Sequence, residues 1–69
     1  MLEVDNAAVT WDAQKKRWVI RLQVGAEVIK RPALKTAHDA DDDLLRTMAV
    51  KIAQDEGYYL NSSTVTVAR

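Results

Sequence analysis

The eight residues Arg17-Trp18-Val19-Ile20-Arg21-Leu22-Gln23-Val24 constrain the fold of this chain more than any other stretch. Trp18, Ile20, Leu22 and Val24 alternate with Arg17, Val19, Arg21 and Gln23. An extended backbone puts one set on each side, whereas a helix scatters the apolar side chains around its axis. β-Branched and aromatic residues favour the extended form. The segment is therefore predicted to be a strand with its apolar side inward and its arginine-bearing side in water.

The flanking residues supply partners for it. Ala8–Trp11 reads as a short strand, and Asp12-Ala13-Gln14-Lys15-Lys16 has the composition of a hairpin connection. Leu2 and Val4 also alternate with charges and would lengthen this first strand through a bulge or bend near Asn6. Gly25-Ala26 suits a tight turn into a third strand, Glu27–Arg31. Pro32 cannot donate to a ladder, so that strand is an edge or ends near Arg31.

Between Lys35 and Gly57 the apolar period changes to about 3.6 residues: Leu45, Met48, Ala49 and Ile52 form a helical stripe, widened by Leu44 and Ala53. Asp39, Asp41, Asp42 and Asp43 crowd its start, where carboxylates cap free amides and complement the helix dipole. Gly57 suits a left-handed C-cap. The spacing predicts a helix from near Asp41 to Glu56. Of Tyr58 and Tyr59, one should cover the helix end and the other face water. After the polar corner Asn61-Ser62-Ser63, Thr64–Val67 alternates as a last strand.

The order β-β-β-α-β implies an α+β fold, a small mostly antiparallel sheet with one helix packed on one face. With 69 residues, the chain has room for a single domain over residues 1–69 and only a thin core. That core is expected to contain Val9 or Trp11, Trp18, Ile20, Leu22, Val24, Val28 or Ile29, Leu45, Met48, Ile52, Val65 and Val67.

Little in the sequence carries chemistry. There is no cysteine and one histidine, and the two glycines are too far apart for a phosphate-cradling loop. Ser62 and Ser63 lie in no nucleophile elbow. The aspartate cluster lacks the glycine of a calcium loop and is read as a helix start; His38 is read as a solvated loop residue. The chain is thus read as non-enzymatic, with no cofactor and no metal. Its first residues are acidic where a secretory leader is basic, and no apolar run approaches the roughly 20 residues that span a bilayer. The expectation is a cytoplasmic protein with no membrane partner.

The formal net charge of zero conceals an asymmetry: residues 1–36 hold seven basic and four acidic side chains, residues 37–69 three and six. Arg17 and Arg21, with Lys30 or Arg31, around Val19 and Gln23, make a candidate binding surface on the sheet face opposite the helix. Trp11 either stacks on Trp18 or is exposed beside them as a recognition side chain. The functional expectation is a small interaction domain that binds a protein partner, or a second copy of itself, through the open sheet face or an edge strand. The alternative is weak nucleic-acid binding by the basic face, with the modest, salt-sensitive affinity that four or five phosphate contacts give.

Overall fold

The computed structural model describes residues 2–33 and 36–68. Lys35 and Arg69, which enter the charge count above, lie outside them. The elements are β1 (Leu2–Glu3), β2 (Asn6–Asp12), β3 (Arg17–Val24), β4 (Glu27–Ala33), α1 (Asp42–Asp55), β5 (Tyr58–Tyr59), a 3₁₀ turn (Ser62–Thr64) and β6 (Val65–Ala68). The main sheet has the order β4-β3-β2-β6. Its β2–β3 and β3–β4 pairs are antiparallel and β2–β6 is parallel. The α+β architecture is the expected one, and β4 is an edge that runs through Pro32 to Ala33.

Leu2–Glu3 does not extend β2. It pairs in parallel with β5, Leu2 opposite Tyr58. The chain bends where the ladder passes from one sheet to the other: the Val4 N–H donates to the Tyr59 carbonyl, and the Asp5 N–H donates to the Gln23 carbonyl, both at 2.8 Å.

Two turns set the register. Gly25-Ala26 closes a two-residue loop with Val24 opposite Glu27. The positive φ of Gly25, 59°, followed by a residue without one is the type II′ pattern that matches strand twist. The Asp5 carboxylate accepts the Gly25 N–H at 2.7 Å and ties the turn to the start of the sheet. At the other hairpin the Asp12 Oδ1 accepts the N–H groups of Gln14 (3.1 Å) and Lys15 (3.2 Å), an Asx turn. The loop closes through Lys16 at a φ of 53°, a left-handed conformation that glycine or asparagine adopts at lower cost.

On the helix-facing side, Val9, Trp18, Ile20, Leu22 and Leu45 have no exposed surface. The Trp18 indole N–H donates to the Ala37 carbonyl at 2.8 Å, so the ring is buried without stranding its donor. α1 packs on β2, β5 and β6 through Leu45, Ala49 and Ala53. The two alanines remove the bulk that would otherwise hold helix and sheet apart. Met48, Ile52, Val24 and Val67 pack at the margin of this core. Val9 rather than Trp11, and Ile29 rather than Val28, are its buried members; Leu44, expected to widen the stripe, is 51% exposed. Val65, as expected, and Val4, Ala7, Ala33, Ala40 and Leu60 complete it.

The helix begins after Asp41, whose carboxylate makes no capping hydrogen bond. The acidic start, with Asp42 and Asp43 in the first turn, therefore acts through the dipole rather than as an Asp41 cap. Gly57 takes the expected left-handed conformation, φ 88°, and donates its N–H to the Gln54 carbonyl at 3.0 Å. Tyr58 packs against the core and Tyr59 is exposed. Asn61 Oδ1 accepts from the Ser63 N–H and hydroxyl at 3.0 and 2.9 Å and caps the 3₁₀ turn.

Urea denaturation should separate the two faces of β3. Ile20→Ala is expected to cost about 3 kcal/mol, the usual range for an aliphatic side chain truncated in a core. Arg21→Ala should stay within about 0.5 kcal/mol.

Candidate functional site

The second face of the main sheet carries no helix. On it Thr10, Arg21, Val28, Lys30, Pro32 and Thr66 are all exposed, while Ala8, Arg17, Val19 and Gln23 are half-buried. The alternation of β3 brings Arg17, Val19, Arg21 and Gln23 to this face as expected. Cross-strand register then distinguishes the two cations of β4. Arg21 lies opposite Lys30, so Lys30 shares the face, and Ile20 lies opposite Arg31, so Arg31 belongs to the helix side. The two-residue turn dictates this register, since pairing Val24 with Glu27 leaves no other partner for Arg21.

Arg31 thus starts from the helix side of β4 and reaches the candidate surface only at its margin. Its Nε donates to the Glu56 carboxylate at 2.6 Å, just past the end of α1, and its NH1 donates to the Lys30 carbonyl at 2.8 Å. Arg46 is paired too, with Asp43 at 3.7 Å and with the Val65 carbonyl through Nε at 3.3 Å. Arg17, Arg21 and Lys30 have a different environment. Among the described residues their side chains make no ion pair and no hydrogen bond. The Arg17 Nε is shielded from solvent and has no acceptor.

The face has shallow relief. A depression of about 430 Å³ is bordered by Thr10, Trp11, Asp12, Val19, Arg21 and Lys30. A neighbouring one of about 220 Å³ lies among Lys15, Arg17, Val19, Lys30, Arg31 and Pro32, beside Asp12. Lys15 and Pro32 join the surface although sequence reading did not single them out for it. The Val19–Pro32 register would have indicated Pro32; Lys15 is brought in by the loop conformation, which no periodicity encodes. Family models, curated proteins and solved structures offer no match to this chain.

Trp11 borders the larger depression and is half-buried rather than exposed. It pairs with Trp18 across the β2–β3 ladder, with the rings edge to face at 5.4 Å. His38 stacks on Trp11 at 4.2 Å and 24°. His38 is therefore more than a solvated loop residue: exposed on one side, it covers an indole on the other. Together with the Trp18–Ala37 hydrogen bond it docks the segment that leads into α1. Among the described residues no group of three or more histidine, cysteine, aspartate or glutamate side chains is placed to hold a metal, and no helix is long and apolar enough to cross a membrane.

Replacing His38 by alanine should uncover Trp11. The expected outcome is greater acrylamide quenching of the more accessible tryptophan fluorescence, with a stability loss of about 0.5–1 kcal/mol, the scale of an aromatic pair.

Proposed function

We propose that this protein is a small non-catalytic interaction domain that binds an acidic surface of a protein partner through its open sheet face. One observation carries the reading: Arg17, Arg21 and Lys30 gather on that face with Asp12 as its one carboxylate, and among the described residues none of the three makes an ion pair, whereas Arg31 at the margin is held by Glu56. Asp12 is the acidic residue of the same face, and its Oδ1 already serves the turn. A cluster of uncompensated cations steers an oppositely charged partner and fixes its orientation. Ala8, Val19 and Pro32 among the cations provide the apolar ground that an interface centre needs.

Physical arguments weigh against the other versions. Counted from the two-residue turn, Val28, Lys30 and Pro32 direct their backbone groups away from β3. Pro32 has no N–H to offer an added strand, and the Lys30 carbonyl is occupied by Arg31. At the opposite edge the Val65 carbonyl is engaged by Arg46. Both edges are thus poor templates for strand addition. Twofold pairing of two open faces would set like charges against each other. Nucleic-acid binding lacks a stacking platform, since the Trp11 ring is occupied by Trp18 and His38.

The test is a titration of ¹⁵N-labelled protein in low salt with hexaglutamate peptide and, separately, with single-stranded RNA and duplex DNA of matched charge. The peptide should produce saturable shifts at Thr10, Val19, Arg21 and Lys30, weakened by added salt and abolished by Arg21→Glu with Lys30→Glu. Tighter binding of either nucleic acid at equal ionic strength would transfer the role to the alternative. No saturable response to any of the three would remove this face as a binding surface.

A further inference from the structure

We infer that the hairpin end of the open face holds a seat for a single carboxylate, an aspartate or glutamate side chain of the partner, built by Arg17 with Lys15 and Lys30. The inference rests on the proposed function and identifies the anchor within that face.

Arg17 starts β3 directly opposite Asp12 and is half-buried. Its Nε has given up water without gaining an acceptor. Native structures seldom leave a shielded donor in that condition, least of all on a cation. Arg17 borders the depression of about 220 Å³, which Lys15 and Lys30 also border, with Val19 and Pro32 as its apolar part. That space admits a carboxyl group with its methylenes. Arg31 also touches the depression but is committed to Glu56 and the Lys30 carbonyl. Asp12, beside it, spends Oδ1 on the amides of Gln14 and Lys15. Three cations therefore meet a single carboxylate.

Guanidinium rather than ammonium chemistry matters at such a seat, because a planar fork matches a carboxylate in two parallel hydrogen bonds and a lysine does not. Arg21 bears the same charge but does not border this depression. The two arginines should respond differently to a change that preserves charge.

The experiment measures hexaglutamate affinity of the full chain for Arg17→Lys, Arg21→Lys and Asp12→Asn, with the Arg17 side-chain Nε–Hε resonance followed in the unsubstituted protein. Arg17→Lys should weaken binding by about threefold or more, and Arg21→Lys by less than about twofold. Asp12→Asn keeps the turn cap, removes the neighbouring negative charge and should tighten binding. The Arg17 resonance should shift during the titration. Equal effects of the two lysine substitutions, or an unmoved Arg17 resonance while the face still binds peptide, would overturn the seat and leave the proposed function standing. Absence of peptide binding by the unsubstituted protein would overturn both.

Discussion

Burial of Trp18, Ile20 and Leu22 is the commitment on which everything else in the molecule depends. The pleat gives no freedom to separate the two faces of β3: once these side chains are buried in the core, Arg17, Val19, Arg21 and Gln23 are delivered to the opposite side. A slip of one residue would bury arginines and expose a tryptophan. The apolar core and the charged surface are consequently one decision of register, and the Gly25-Ala26 turn transmits it to β4, as does the β2–β3 ladder to Ala8 and Thr10.

The distribution of ion pairs separates structural from available charge. Arg31 joins the outer strand to the end of α1, and Arg46 joins α1 to β6. Each ties the helix to one flank of the sheet. Such half-exposed contacts contribute little stability individually; their effect is to occupy edge carbonyls that would otherwise recruit a foreign strand. The cations between them have no such duty. One carbonyl on each edge of the sheet is thus already taken by an arginine of the same chain.

Most of the architecture is legible in the sequence because two periodicities are unambiguous: the alternation from Arg17 to Val24 and the 3.6-residue stripe from Leu45 to Ile52. The helix boundaries follow from Asp41 and Gly57, residues with a local physical reason to be there. What escapes is non-local or too short to have a period. The alternation of Leu2 and Val4 is too short to show that its partner is β5 rather than a continuation of β2, and Leu60 joins the core as an isolated residue. Leu44 is misjudged because the width of a helical stripe depends on what covers it. The stacking of His38 on Trp11 joins segments that no spacing rule connects. Lys30 and Arg31, by contrast, are distinguishable once the turn is counted, so the composition of the candidate site was nearly, though not fully, readable.

The parallel ladder of β2 with β6 has a consequence for how the chain reaches this state. Ala7 through Thr10 find their second neighbour in Val65 through Ala68, almost the whole sequence away, whereas the β2–β3–β4 meander closes through short loops. The distant pair carries a larger loop-closure entropy than either hairpin. Until it forms, β2 stands as a bare flank beside hydrophobic Val9 and Ile20. The outer side of β2 is thus completed by the part of the chain that lies furthest from it in sequence, so the sheet is closed on that flank only when both ends of the chain are together.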